Sequence, residues 1–157
     1  MLTASQKRFL TKRLRQLAAY QPRIMELRTK LLRVGGEELI VRELGEPDLD
    51  LLIERGALRE GSVVLEAGEI GRCFSNVAKQ WAAQRIGLVQ IGFGYGLSDD
   101  GLWRGHAWGR LDDGHILETT LSREKYFGVE LDGAAANEFA RSCLSPDERG
   151  DLAQHGA

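Results

Sequence analysis

The sequence predicts an α+β domain in which helices come first and a sheet follows. Two observations carry this prediction. Apolar residues recur at helical spacing through the first third of the chain, and short β-compatible runs separated by turn signals follow after Gly61. With 157 residues, 43% of them hydrophobic and 28% charged, the chain has room for one domain with a sizeable core.

The N-terminal region, residues 1–60, is predicted to be helical. Thr3–Gln6 fits a capping box, and apolar residues follow it at helical spacing. A second apolar stripe begins after Pro22 and ends at Gly35-Gly36. A third, short helix is predicted to end at Gly56.

Residues 61–144 are predicted to form the core of the fold. A central helix over residues 72–85 packs on an antiparallel sheet, and a last helix runs through Cys143. Residues 62–65 are predicted to be a short strand, and another strand from Leu88 is expected to continue irregularly through its glycines. Residues 145–157 are predicted to be a polar tail. The three regions together are expected to make one globular domain, since no convincing linker separates them.

Cys73 has a position that suits a reactive thiol. Gly68 and Gly71 lie just before it, so we expect the central helix to begin close to its sulfur atom. A free cysteine titrates near pH 8.5, and a helix N-terminus or a nearby imidazolium lowers that pKa. The amide groups at the start of the same helix can contribute to an oxyanion hole.

His106 and Glu118 lie on the two strands of a predicted hairpin. If Asp112–Gly114 forms a three-residue loop with its glycine at positive φ, Leu111 pairs with His115. That register places His106 and Glu118 on one face as diagonal neighbours, with Cα atoms roughly 7–8 Å apart. A loop one residue shorter or longer would separate them.

Cys73, His106 and Glu118 therefore come in an order that suits a thiol nucleophile, its base and the group that orients the base. A cysteine-dependent acyl-transfer enzyme is the leading hypothesis. Each residue also has a structural interpretation, as a small buried apolar group, a structural histidine or a solvated strand acid. No metal or cofactor is predicted, because three histidines and two cysteines show no pairing typical of a zinc site.

Four short motifs follow one another along the chain: Gly71-Arg72-Cys73, Gly94-Tyr95-Gly96, His106-Ala107-Trp108 and Glu118-Thr119-Thr120. Their order resembles the core of the transglutaminase-like superfamily of papain-like cysteine enzymes. That core has Gly-x-Cys at the head of a helix, a Gly-Tyr strand, a His-Ala-Trp strand and an Asp-Pro-Thr-like strand. The resemblance covers roughly residues 61–131. Glu118 stands where aspartate is usual, and Thr119 replaces the proline after it.

The resemblance implies a function for the three residues. Cys73 would be the nucleophile, His106 the base and acid, and Glu118 the residue that orients His106. The implied reaction is attack of a thiolate on an amide or ester carbonyl, followed by release of the acyl group to water or to an amine. The implied substrate is a peptide or protein amide.

Four further residues are candidates for substrate binding: Asn76, Tyr95, Trp103 and Trp108. The two tryptophans can wall a cleft, and core packing is the alternative for both. Asn76 lies one helical turn after Cys73, where its side chain can face the site or bond locally.

The charge of the chain is unevenly distributed. Residues 1–33 carry nine basic side chains and one acidic one, about +8, which leaves about −10 on the remainder of a chain with net charge −2. One interpretation is that the basic residues 7–33 bind an acidic partner such as nucleic acid or a membrane surface. The other is that these charges are solvated while the helices pack on the acidic body, because no aromatic residues interleave with them.

The basic N-terminal region suggests a second hypothesis for the function of the protein. A non-catalytic binding module of the same fold would hold a protein or acidic partner through its basic N-terminal helices. A nucleic-acid-binding protein is the third hypothesis. The sequence leaves the oligomeric state open.

The sequence also bears on where the protein works. Its longest apolar runs are too short to span a bilayer, and the N-terminus lacks the pattern of a signal peptide. We therefore expect a cytoplasmic protein in which Cys73 and Cys143 are free thiols.

Overall fold

A computed structural model describes residues 1–149, which contain five helices and a mixed sheet of seven strands. The helices are α1 (Ala4–Ala18), α2 (Ile24–Val34), α3 (Leu49–Arg55), α4 (Cys73–Ala82) and α5 (Gly133–Cys143). The strands are β1 (Glu38–Leu39), β2 (Ala57–Arg59), β3 (Val63–Leu65), β4 (Leu88–Leu97), β5 (Leu102–Leu111), β6 (Ile116–Glu118) and β7 (Lys125–Leu131). The predicted α+β class is confirmed. Of the predicted polar tail, residues 150–157 lie outside the described residues.

The sheet is mixed, whereas the sequence predicted an antiparallel one. Its strand order is β2-β7-β4-β5-β6-β3, and β1 pairs with β5 off this path. The pairs β1–β5 and β3–β6 are parallel, and the pairs β2–β7 and β5–β6 are antiparallel. The prediction failed at β3 because the direction of a short strand depends on a distant partner, which local sequence does not encode.

The helices begin and end close to where the sequence predicted. At the start of α1, Gln6 N donates to Thr3 Oγ1 at 3.1 Å and Thr3 N donates to Gln6 Oε1 at 2.8 Å, which is the predicted capping box. Helix α4 ends at Ala82, three residues before the predicted end, and Gln84 follows with a φ of 53°. None of the helices within residues 1–149 is long and apolar enough to cross a membrane.

Three features of the strands differ from the sequence prediction. Strands β1 and β2 were not predicted, because segments of two and three residues are too short to show an alternating pattern. Strand β4 is continuous through glycines that were expected to make it irregular. At Gly92 the indole of Trp108 in β5 fills the position that a Cβ would take, so the glycine permits this ring to pack closely on β4.

The chain divides into two compact units. The first comprises Met1–Arg59, Gly94–Gly105 and Arg123–Val129. Within it α2 packs on α1, β1 and α3. Its core includes Leu27 and Leu31 of α2, both fully buried.

The second unit comprises Glu60–Phe93, His106–Ser122 and the described chain from Glu130 onward. Within it α4 packs on α5. The rings of Phe93 and Phe139 stack with centroids 4.7 Å apart. This packing supports α4, the helix that carries Cys73 at its first position.

Candidate active site

The hairpin of β5 and β6 has the register that the sequence predicted. Gly109 pairs with Leu117, and Gly114 in the turn has a φ of 90°. His106 and Glu118 consequently share one face of the hairpin. Their side chains meet there, with His106 Nε2 and Glu118 Oε2 2.8 Å apart and both side chains fully buried.

The carboxylate of Glu118 is held by a second set of donors. Its Oε1 accepts hydrogen bonds from Thr119 N at 3.0 Å, from Thr120 N at 2.9 Å and from Thr120 Oγ1 at 3.0 Å. These bonds offset the cost of burying a carboxylate. They also fix its orientation, so that Oε2 stays directed at His106.

Cys73 is the first residue of α4 and is 9% exposed. Gly71, two residues before it, has a φ of 76°, a conformation that favours glycine and turns the chain into the helix. The amides of the first turn of a helix have no intrahelical acceptor and carry partial positive charge. The Cys73 sulfur thus lies where a thiolate is electrostatically favoured.

Cys73 and His106 shift each other's pKa in opposite directions. Burial acts to raise the pKa of Cys73, but the hydrogen bond from His106, its charge and the Ala107 amide outweigh burial, so this pKa lies below the ordinary thiol value. Burial acts to lower the pKa of His106, but hydrogen bonds to Cys73 and Glu118 and their charges raise it above the ordinary value. Together the two shifts favour a thiolate–imidazolium pair.

Glu118 favours the thiolate of Cys73 only through His106. Its charge alone disfavours a thiolate at Cys73, whereas its bond to His106 favours the imidazolium that stabilises the thiolate. Because Nε2 of His106 faces Glu118, Nδ1 is the ring nitrogen left for the thiol. The three side chains can therefore form a nucleophile, hold a proton beside it and keep the imidazole in one orientation.

Asn76 lies beside this cluster and is 7% exposed. Its Oδ1 accepts from Glu69 N at 3.2 Å, and its Nδ2 donates to Glu69 O at 2.8 Å and to Thr119 O at 3.4 Å. Asn76 thus joins the loop before Cys73 to the segment after Glu118. Its proposed contact with substrate stays a prediction.

Trp108 is fully buried in the same unit. Its ring stacks with that of His106 at a centroid distance of 6.3 Å, and its Nε1 donates to Glu130 Oε1 at 3.2 Å. The tryptophan therefore packs beside the imidazole and is anchored by a carboxylate. Whether it also touches substrate stays a prediction.

Tyr95 and Trp103 belong to the first unit, where both are fully buried. The Tyr95 hydroxyl donates to Glu46 Oε2 at 2.7 Å, and Trp103 Nε1 donates to Gly35 O at 2.9 Å. Each polar group is thus bonded within the first unit. Their proposed contact with substrate also stays a prediction.

Two groups of the site were not anticipated from the sequence. Thr120 holds Glu118, and the Ala107 amide acts on the Cys73 sulfur. A signal for Thr120 existed, because a threonine two residues after an acid at a strand end is placed for local hydrogen bonding. The contact of the Ala107 amide had no signal, because it depends on where a distant helix meets the strand.

The geometry defines a buried thiol–imidazole–carboxylate cluster, the class of site used by cysteine nucleophiles. Within residues 1–149, no group of three or more His, Cys, Asp or Glu side chains is placed to hold a metal ion. No protein-family model, curated protein or solved structure matches this chain. The chemistry of the site is therefore argued from its own atoms.

Proposed function

We propose that this protein is a cysteine-dependent amide hydrolase or acyltransferase that uses Cys73, His106 and Glu118 as a catalytic triad. The observation that carries the proposal is the position of His106, fully buried between the carboxylate of Glu118 and the thiol of Cys73. The order of the three residues and their motifs, similar to a transglutaminase-like core, supports it. The substrate class that fits is a peptide or protein amide.

Acylation begins with the thiolate–imidazolium pair. The Cys73 sulfur attacks the carbonyl carbon and forms a C–S bond, while the carbonyl electrons move to oxygen. Amides of the first turn of α4 are the donors available to that oxyanion. His106 then gives its Nδ1 proton to the leaving amine, the C–N bond breaks, and a thioester remains on Cys73.

Deacylation reverses these roles. His106, now neutral, takes a proton from water or from an acceptor amine as that molecule attacks the thioester. Collapse of the tetrahedral intermediate breaks the C–S bond and restores the thiolate–imidazolium pair. Water yields hydrolysis, and an amine yields acyl transfer.

We also propose that the protein works in the cytoplasm. Cys73 and Cys143 are both free. A nucleophilic thiol remains available in a reducing compartment, where disulfides rarely persist.

The test is the rate of iodoacetamide alkylation of Cys73 against pH, measured by mass spectrometry in a Cys143→Ser background. We expect rapid labelling below pH 7, with a midpoint below the value near 8.5 of an ordinary thiol. In His106→Ala the midpoint should rise above that value, because burial remains while the imidazolium is lost. His115→Ala is the matched control, because His115 is half-exposed and pairs with Asp113.

A second measurement separates a reactive thiol from a catalyst. The Cys143→Ser protein is incubated with an activated acyl ester, and its intact mass is followed before and after addition of a primary amine. A thioester that forms on Cys73 and is discharged in wild type, but persists in His106→Ala, supports the proposal. Labelling that rises only near pH 8.5 and ignores His106→Ala contradicts it and favours the binding-module alternative.

A further inference from the structure

The two basic N-terminal helices differ in how their charges are used. On and beside α2, Arg23 contacts Glu26 and Asp50, and Arg28 binds Glu38 through two hydrogen bonds. The cations of this helix thus largely serve the protein's own fold.

The cations of α1 are not used in this way. They are Lys7, Arg8, Lys12, Arg13 and Arg15, and every one of them is exposed. None makes an ion pair with any residue from 1 to 149. The sequence holds no acidic residue before Glu26, so no negative side chain interrupts the helix. No contact ion pair within residues 1–149 therefore offsets the repulsion between these cations.

Four of these cations cover one side of α1. Arg8, Lys12 and Arg15 have the i, i+4, i+7 spacing of one helix face, and Lys7 is adjacent to them. Together with Thr11 and Gln16 they line a surface pocket of about 520 Å³. Its lining combines positive charge with neutral hydroxyl and amide donors, which suits the oxygens of a phosphodiester.

The spacing of charge on this face is close to that of one strand of a nucleic-acid duplex. Its four cations occupy the helical rise of about 12 Å between Lys7 and Arg15, or about 3 Å for each charge. A duplex carries one phosphate charge for about 3.4 Å along each of its strands. We infer that the Lys7, Arg8, Lys12 and Arg15 face of α1 binds the phosphate backbone of a nucleic-acid duplex without reading its sequence.

A membrane surface fits this helix less well. The apolar side that would enter the headgroup region already packs within the first unit, with Leu14 only 2% exposed. Phe9, 59% exposed, is the one large apolar side chain of α1 that stands in solvent, and Arg13 lies over its ring at 6.0 Å. One exposed ring is little apolar area for insertion.

The test is fluorescence anisotropy of a labelled 20-base-pair duplex of arbitrary sequence, as DNA in one arm and as RNA in the other, titrated with the whole protein. We expect binding at low salt that is insensitive to sequence. The logarithm of the binding constant should fall against log salt with a slope near −3.5, for about four phosphate contacts. The two arms show whether either form of the backbone is preferred.

The variant Arg8→Gln, Lys12→Gln, Arg15→Gln should weaken binding at least tenfold and reduce the slope to about −1. Its matched control is Arg33→Gln, Arg55→Gln, Arg141→Gln, which removes equal charge at exposed positions elsewhere and should change binding less than threefold. Circular dichroism of both variants confirms that the helices are intact.

Three results would overturn the inference: no binding of either duplex at low salt, equal weakening by both triple variants, or capture by anionic lipid vesicles that a duplex excess does not displace. None of these readouts depends on Cys73. The inference therefore stands or falls separately from the proposed acyl-transfer chemistry.

Discussion

Two of the buried glutamates, Glu118 in the second unit and Glu46 in the first, have different partners. Glu118, fully buried, faces His106 at 2.8 Å. Glu46 is 2% exposed, and its Oε2 accepts a hydrogen bond from the Tyr95 hydroxyl at 2.7 Å. The same oxygen lies 3.5 Å from Arg42 Nε. Both carboxylates are held by local backbone or side-chain donors, so burial and hydrogen bonding alone do not distinguish them.

The partner decides what a buried carboxylate can do. An imidazole ordinarily titrates near neutral pH, and hydrogen bonding to Glu118 helps to raise the pKa of His106, so the ring holds the proton of a neighbouring thiol more readily. Tyr95 ordinarily titrates near pH 10, and burial together with the charge of Glu46 raises its pKa further, so it stays protonated. The first pair can transmit protonation to a neighbouring thiol, whereas the second holds a tyrosine that stays protonated and so stabilises the fold.

The largest expected effect separates the two glutamates by their influence on the thiol. Glu118→Gln keeps the size of the side chain but removes the charge that raises the pKa of His106. The alkylation rate of Cys73 at pH 6.5 should fall at least tenfold, which corresponds to a shift of about one pKa unit. Glu46→Gln is the matched control and should leave this rate unchanged. Equal rates in both variants would mean that Glu118 does not tune the thiol.

In the first unit we expect a substitution to lower the stability of the protein and to leave the reactivity of Cys73 unchanged. Tyr95→Phe removes the hydroxyl that donates to Glu46 Oε2. A buried acceptor that loses its donor costs about 1–3 kcal/mol of the free energy of unfolding. At about 2–4 °C for each kcal/mol, a thermal melt should resolve this loss.

Tyr20→Phe controls for the Tyr95 prediction, because Tyr20 is 85% exposed and its change should leave the melting temperature as it is. The pH profile of Cys73 alkylation should be the same in Tyr95→Phe and in wild type. A shifted profile would show that Tyr95 influences the thiol, and the contrast between the two glutamates would then be wrong.

The smallest expected effect concerns the donors that hold Glu118. Thr120→Val removes the hydroxyl bond to Oε1 and leaves the two amide donors in place. One lost hydrogen bond of about 1 kcal/mol should slow alkylation at pH 6.5 by about 2- to 5-fold. Thr120→Ser restores the hydroxyl and should restore the rate. A rate that stays low in Thr120→Ser would point to lost packing of the threonine methyl group.

The two glutamates also differ in how far their partners could be predicted from the sequence. The meeting of His106 and Glu118 followed from a local fact, a three-residue turn that ends in Gly114, which has a φ of 90°. The pairing of Tyr95 with Glu46 depends on segments 49 residues apart in sequence, and no periodicity or turn signal connects them. Local turns fix register, whereas distant pairings appear only in three dimensions.

The same distinction explains the errors in the sheet. Strand β3 was predicted as a strand, but its parallel pairing with β6 was not, because Val63 and Ile116 meet across a long stretch of chain. For Asn76 the sequence placed the residue one turn after Cys73. It did not show that its side chain would join Glu69 to Thr119.

The hydrogen bonds that assemble the site join residues at very different separations in sequence, and this has a consequence for how the protein folds. The hairpin contact between His106 and Glu118 spans 12 residues and can form early. The contact that ties α4 to the same segment, between Asn76 and Thr119, spans 43 residues and requires a much larger loop to close. During refolding, Cys73 should therefore react as an ordinary thiol until this closure occurs. The onset of rapid labelling then marks the moment at which the slow, long-range part of the fold is complete.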